Sequence, residues 1–241
     1  MGLVDIIKRE ARLWCDTCLL PRTCAVCGNL LTEKEEDVCF GCMASLPRHR
    51  LTGPELFENP AALTNAPFPV GIVRAWYSYN PSDEYASIIR KGKYDDRPAM
   101  LRRMGAIFAR DLLMSSDSQA VKGLDVLLPM PMYVLKRMRR GYNQSCEIAA
   151  GIGDVLDIPV GDNLVALRGH GTQTRLGFRE RSVNIRGCYA CRNVEELEGL
   201  DVAIVDDVIT TGASMSEAMF ALAWSGAKPA SVSFLALGAT V

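Results

Sequence analysis

Between residues 71 and 79 the chain reads GIVRAWYSY, an apolar run with β-branched and aromatic side chains that predicts a strand. Helical spacing follows over 83–92 and 97–115, and then a short apolar run at 125–130 (DVLLPM) that ends at proline. Residues 143–157 predict a helix with Ile148, Ile152, Val155 and Leu156 along its apolar face. Residues 202–205 predict another buried strand, 213–225 a helix, and 231–237 (SVSFLAL) a last strand. Strands and helices alternating at this spacing predict an α/β domain whose mostly parallel sheet is flanked by helices. The stretch from Pro47 to Pro69 is different. It is rich in Pro, Asn, Gly and Thr, has little periodicity, and predicts an irregular connector. Near the start, residues 2–13 predict an amphipathic helix with Leu3, Ile6, Ile7 and Leu13 on one side. The expected organisation is a helix with a cysteine-rich module over 1–50, a connector over 51–69, and the α/β domain over 70–241. There is no internal repeat and no low-complexity tract.

Composition narrows the class. With 241 residues, 49% of them hydrophobic and 23% charged, the chain can bury a full core and is not a disordered segment. A net charge of −1 means that any basic surface must be local. Charged residues interrupt every apolar run before it is long enough to span a bilayer, so no membrane insertion is expected. The first residues, MGLVDIIKREARLW, are amphipathic rather than a signal-peptide core, and they lack the Ser or Thr of a myristoylation site. A cytoplasmic location is the expectation.

The cysteines change the picture of the first fifty residues. Nine is an odd count, which argues against a fully paired disulfide framework. Six lie between Cys15 and Cys42, all in Cys-x-x-Cys pairs. Cys24 and Cys27, then Cys39 and Cys42, have the two-pair spacing that supplies four thiolates to a closed tetrahedral Zn²⁺ site. Gly28 and Gly41 are expected to form the tight turns that aim backbone N–H groups at the sulfurs. Free or redox-active thiols are the alternative. The earlier pair, Cys15 and Cys18, sits at the end of a predicted helix, and either exchanges with one ligand pair or is a free dithiol. Cys188 and Cys191 fall in a predicted strand, where positions three apart face opposite sides, so they read as small hydrophobes, as does Cys146. A segment this short has little core of its own, and a metal would substitute for one.

The stretch Val202 to Ser214, VAIVDDVITTGAS, carries the sharpest chemical signal. It places Asp206 and Asp207 at the carboxyl end of a buried strand, where open α/β sheets bind ligands. Thr210, Thr211 and Ser214 then offer hydroxyls beside the N–H groups of a helix start, a cradle for an anion, and Gly212 is expected to let the backbone approach a ligand oxygen. A carboxylate pair beside a phosphate cradle suits a sugar phosphate, with the acids taking vicinal hydroxyls directly or through Mg²⁺. The bland alternative is a solvated Asp pair before an ordinary capped helix. A nucleotide-binding P-loop is excluded because no G-x-x-x-x-G-K-[ST] accompanies the acids, and GIGD at 151–154 lies inside a helical pattern.

VAIVDDVITTGAS closely resembles the 13-residue 5-phosphoribosyl 1-diphosphate (PRPP) motif of type I phosphoribosyltransferases. KRMRRGYNQ (residues 136–144) and QTRLGFRERSVNIRG (173–187) resemble two signatures of the ComF, or GntX-like, family. A four-cysteine zinc module ahead of a phosphoribosyltransferase-like domain is also how that family is arranged, so the resemblance covers nearly the whole chain. Two departures stand out: the extra Cys15/Cys18 pair, and Cys188 where alanine is expected. The resemblance implies that Asp206 and Asp207 engage the ribose hydroxyls, and that Thr210, Thr211, Gly212, Ala213 and Ser214 hold the 5-phosphate. It also implies Mg²⁺ with PRPP.

The basic segments supply the remaining candidates. Lys136, Arg137, Arg139 and Arg140 follow the DVLLPMPMY strand end, where the family resemblance puts a pyrophosphate loop. Guanidinium forks suit such oxygens, although a solvated helix face is an equal alternative. Arg168, Arg175, Arg179, Arg181 and Arg186 form a second stretch, either a hood over the site or a track for single-stranded nucleic acid with Tyr142 and Phe178 as stacking platforms. Arg90, Lys91 and Lys93 are a less specific third group. His49 and His170 receive no catalytic role. Three readings remain open: a PRPP-dependent phosphoribosyltransferase with an unidentified acceptor, a single-stranded-DNA-handling protein working with competence proteins in natural transformation, and a PRPP-sensing regulator.

Overall fold

The computed structural model describes residues 22–94, 97–168 and 187–240. The expected helix at 2–13, Cys15, Cys18, His170, Phe178 and four of the arginines (Arg175, Arg179, Arg181 and Arg186) lie outside the described residues. Six strands are described: β1 (Val70–Tyr79), β2 (Val126–Pro129), β3 (Leu164–Ala166), β4 (Tyr189–Cys191), β5 (Asp201–Ile209) and β6 (Ser231–Thr240). Four of them build an all-parallel sheet in the order β1-β6-β5-β2, while β3 and β4 pair as a separate antiparallel ribbon. The helices are α1 (Phe40–Ala44), α2 (Ala61–Thr64), α3 (Ala86–Tyr94), α4 (Pro98–Leu113), α5 (Ser118–Lys122), α6 (Val134–Arg140), α7 (Gln144–Leu156) and α8 (Ala213–Trp224).

Because successive side chains of a strand face opposite ways, β5 sends Val202 and Ile204 into one core and Ala203 and Val205 into the other. On the first face, α8 contributes Met215, Ala218, Met219 and Leu222, with Tyr189 of β4 beside them. The opposite face is covered by Ile88 and Ile89 of α3, Met100, Leu101, Met104 and Phe108 of α4, and Ile148 and Ile152 of α7. Helices cover both sides of a parallel sheet, so β2, β6 and most of β5 are buried runs rather than alternating ones, while the edge strand β1 is buried only at Val73 and over 75–77. Val155 and Leu156, expected on the apolar face of α7, are only half-buried at its last turn.

Two glycines explain why residues 151–154 resemble a ligand fingerprint without being one. A Cβ on Gly151 would lie 1.8 Å from the Arg102 carbonyl oxygen, and one on Gly105 would lie 2.3 Å from that of Ile148. The pair lets α4 and α7 cross with their backbones almost touching.

The segment expected to be an irregular connector carries a 3₁₀ turn (Gly53–Leu56) and α2, and it buries Leu56, Phe57 and Leu63 in the first core. Phe57 meets Phe234 edge-on at 5.3 Å between centroids. The cysteine module docks on the opposite core, where Cys24, Ala25, Val38 and Leu46 pack beside α4. Arg103 of α4 reaches back to Asp37 at 2.6 Å and Glu36 at 2.8 Å. Cys188 is buried just ahead of β4, while Cys191 and Cys146 are partly covered. Among the described residues, no helix is long and apolar enough to cross a membrane.

Candidate functional site

The structure brings the sulfurs of Cys24, Cys27, Cys39 and Cys42 within 4.8 Å of one another. The Cys27 and Cys39 sulfurs are 3.8 Å apart. That is about the edge, roughly 3.8 Å, of a tetrahedron built on Zn–S bonds of about 2.3 Å. Backbone N–H groups of Val26 (3.4 Å) and Cys39 (3.3 Å) donate to the Cys24 sulfur, and that of Cys42 donates to Cys39 at 3.4 Å. Burial alone would raise the Cys24 thiol, but the N–H groups around it prevail and bring it down to about 7, toward the thiolate a metal takes. Two of these donors, Val26 and Cys42, come from the Cys-x-x-Cys turns themselves, as expected. Gly28 does turn with φ +76°, whereas Gly41 lies inside α1 and has no left-handed turn to make. Glu35 braces the loop between the pairs, accepting from the N–H groups of Thr32 (2.8 Å) and Phe40 (2.7 Å). The four thiols fit a metal ion such as zinc.

The acid pair occupies the other end of the molecule's chemistry. Asp206 and Asp207 are not beyond the strand, as the sequence suggests, but within it: β5 runs on to Ile209, with Asp206 opposite Ala236 and Val208 opposite Gly238. Charge ended the apolar run in the sequence, yet β6 supplies backbone partners for another turn of the ladder. Asp206 Oδ1 accepts from the Ser145 hydroxyl at 2.9 Å and from the Asp207 N–H at 2.8 Å. Burial pushes the Asp206 carboxyl up to about 7, with the neighbouring Asp207 charge adding to the effect. Lys93, at the end of α3, places Nζ 2.6 Å from Asp207 Oδ2. Burial alone would lower the Lys93 pKa, but the Asp207 carboxylate outweighs it and holds the ammonium above its usual value. Lys93 was the least specific of the basic candidates. Its role depends on contact between segments more than a hundred residues apart in the chain, for which the sequence has no local signal.

The loop after β5 behaves differently from its sequence reading. Gly212 has φ +75° and caps α8. A Cβ there would lie 2.1 Å from the Phe57 ring, so the glycine is required by packing against the 51–69 segment and by the turn. Thr211 accepts from the Glu58 N–H through its carbonyl (3.2 Å) and from the Ala213 N–H through its hydroxyl (3.3 Å). Thr210 accepts from the Thr240 hydroxyl through its carbonyl. Ser214 lines the cleft, whereas Thr210, Thr211, Gly212 and Ala213 do not.

The KRMRRGYNQ stretch becomes α6, a left-handed turn and the start of α7. Gly141 ends α6 with φ +84°. Asn143 caps α7 by accepting from the Ser145 N–H, and its amide donates to the Met130 carbonyl at 2.9 Å, tying the β2 end to the helix. Tyr142 is partly buried and donates its hydroxyl to the Gly92 carbonyl, so it is a brace rather than a stacking platform. Gln144 is 2% exposed; its Oε1 accepts from Arg140 Nη1 at 2.8 Å, while its Nε2 has no partner. Lys136 and Arg140 line the cleft, whereas Arg137 and Arg139 face outward on an α6 with no buried residue. Although Lys136 is exposed by surface area, the protein around it takes away part of its hydration and lowers its pKa, helped by the neighbouring charges of Arg140 and Lys93.

A single cleft of about 270 Å³ therefore gathers Asp206, Asp207, Lys93, Lys136, Arg140 and Ser214. Of the described sequence candidates, Arg90, Lys91, Arg137, Arg139, Thr210, Thr211, Gly212 and Ala213 do not line it. Sequence reasoning did not single out Ser145 and Gln144, although both stand in or beside the KRMRRGYNQ signature. The acid pair does not present a vacant divalent-cation site, since Asp207 already faces an ammonium and Asp206 a hydroxyl.

Fold and site define a class: a four-stranded parallel sheet flanked by helices, with an acidic strand end over a mixed-charge cleft, joined to a four-cysteine module. No family model matches the chain. It is 28% identical over 132 residues to Competence protein F of Haemophilus influenzae, an alignment spanning 54% of this chain and 58% of that protein. It is also 24% identical over 223 residues to DNA utilization protein YhgH of Salmonella typhimurium, across 88% of this chain and 96% of that one. A solved glutamine PRPP amidotransferase from B. subtilis overlaps 53% of this chain and 24% of its own, at 20% identity and a TM-score of 0.34. The sequence relatives and the four-cysteine cluster support the resemblance to the ComF family.

Proposed function

We propose that the chain binds PRPP and transfers its phosphoribosyl group to an acceptor nucleophile. The observation that carries this reading is that one cleft gathers carboxylates, a hydroxyl and cations. Asp206, Asp207 and Ser214 line it together with Lys136 and Arg140. A ligand that carries both vicinal hydroxyls and a polyanion matches that mixed lining. In the transfer, the bond between the anomeric carbon and the diphosphate oxygen breaks and its electron pair leaves with pyrophosphate. The acceptor's lone pair forms the new bond, and the acceptor gives up its proton. Lys136 and Arg140 would neutralise the departing charge, and the carboxylates would face the positive charge that develops on the sugar. Mg²⁺, carried on the diphosphate, would add to that neutralisation. The test is release of pyrophosphate from PRPP across a panel of bases and amines, with Asp206→Asn/Asp207→Asn as control. Acceptor-dependent release by the wild type, lost in the double variant, supports the reading, and no release with any acceptor argues against transfer.

A second reading is supported by the relatives called Competence protein F and DNA utilization protein: handling of single-stranded DNA in a competence-related function. Arg137 and Arg139, exposed on α6 beside Val134, Leu135 and Met138, suit a nucleic-acid backbone. Such binding must weaken steeply as salt rises, because phosphate contacts release counterions. Absent or salt-insensitive binding rejects it.

A further inference from the structure

The contact between Lys93 and Asp207 bears on how the sugar end of the ligand is held. A carboxylate pair at such a site ordinarily calls for a divalent cation to relieve its mutual repulsion. Here the relief is built into the chain. The Lys93 ammonium, mostly buried, lies 2.6 Å from Asp207 Oδ2, and the Ser145 hydroxyl donates to Asp206 at 2.9 Å. Each acid keeps its second carboxylate oxygen for an incoming hydroxyl, and the ammonium keeps donors for a hydroxyl oxygen. Gln144 points independently to a ligand in the same cleft. It is 2% exposed and lines the cleft along with the acid pair; Arg140 occupies its Oε1, and its Nε2 has no hydrogen-bond partner.

Resting on the PRPP reading, we infer that Lys93 is the resident cation of the sugar clamp. It holds Asp207 for a vicinal diol, so the clamp takes the ribose 5-phosphate end of the ligand without a divalent metal. A metal ion enters the site only with a diphosphate. The clamp is therefore selective for the sugar before it meets any metal, and ribose 5-phosphate, which lacks the diphosphate, is the probe that isolates it.

The experiment is calorimetric titration of wild type, Lys93→Met and Lys93→Arg with ribose 5-phosphate, in EDTA and in excess Mg²⁺, with PRPP in Mg²⁺ as reference. Wild type is expected to bind ribose 5-phosphate equally in both conditions. Lys93→Met is expected to bind roughly ten- to a hundredfold more weakly in EDTA, the loss of one charge-assisted contact, and to recover part of it with Mg²⁺. Lys93→Arg should retain metal-independent binding. If Lys93→Met does not fold, the wild-type comparison still decides whether the clamp needs a metal, and Lys93→Gln replaces it as the test of the side chain. Wild-type binding of ribose 5-phosphate that requires Mg²⁺ overturns the inference while leaving the PRPP reading intact. So does a Lys93→Met protein that binds as wild type does in EDTA. Failure of the wild type to bind PRPP or ribose 5-phosphate in either condition overturns both.

Discussion

Asp206→Asn should change the pH dependence of stability in a direction set by the acid pair. Burial and the Asp207 charge raise the Asp206 carboxyl from 3.8 to about 7 in the folded protein. The folded state thus holds this proton more tightly than the unfolded chain does. Stability from this group is fully present below the ordinary carboxylate range and is lost as pH climbs through 7. At about 1.4 kcal/mol per unit the loss is roughly 2–4 kcal/mol, toward the lower end because the proton is shared with Asp207. Asparagine keeps an oxygen for the Ser145 hydroxyl and the Asp207 N–H, but it has nothing to ionise. Wild type and Asp206→Asn are therefore compared by thermal unfolding at about pH 4 and about pH 8, without ligand. Any fixed offset from the new amide cancels in the difference of differences. The melting temperature of the wild type should fall relative to the variant by roughly 5–15 °C across that range, at about 2–4 °C per kcal/mol for a chain of this size. Parallel pH profiles for the two proteins would refute the argument that Asp206 is held partly protonated.

The remaining predictions address the scaffold and the second surface. Metal analysis of the purified protein should find one zinc per chain, and Cys24→Ser should lower both metal content and melting temperature; a folded, metal-free wild type would contradict the four-thiolate reading. Gly151→Ala should destabilise by about 1–3 kcal/mol in denaturant titration, because its methyl would meet the Arg102 carbonyl of the facing helix; an unchanged midpoint would show that α4 and α7 can part without cost. If single-stranded DNA binds, Arg137→Ala/Arg139→Ala should reduce both the affinity and its salt slope, read by fluorescence anisotropy; an unaltered slope would move the interface elsewhere.

The architecture was largely visible in the order of apolar runs. Each of the four strands of the parallel sheet begins within a residue or so of where the pattern puts it, because buried strands of a parallel sheet are dense in Val, Ile and Leu. Their ends were less visible. β5 continues through two aspartates because β6 offers backbone partners there, and pairing between distant segments leaves no mark on local composition. The cysteine module was legible because metal spacing is local, and its turns do aim N–H groups at the sulfurs, although Gly41 proved to be helical rather than a left-handed turn. At the cleft, the acids and Ser214 stood out through their motif. Lys93 and Ser145 did not, because each acquires its meaning from a contact across the fold, with Asp207 and Asp206 respectively, and Gln144 did not because its burial comes from the tertiary packing around it. Gly212 shows the opposite case. Its place in the motif suggested approach to a ligand, and the structure instead puts the Phe57 ring against it.

The central claim is that Asp206 and Asp207 form the sugar-binding half of a PRPP site. Isothermal titration of PRPP in Mg²⁺ into wild type and Asp206→Asn/Asp207→Asn tests it most directly, with circular dichroism to establish that both are folded. The account predicts saturable binding by the wild type and its loss in the double variant. No binding by a folded wild type, or equal binding by both proteins, would contradict it.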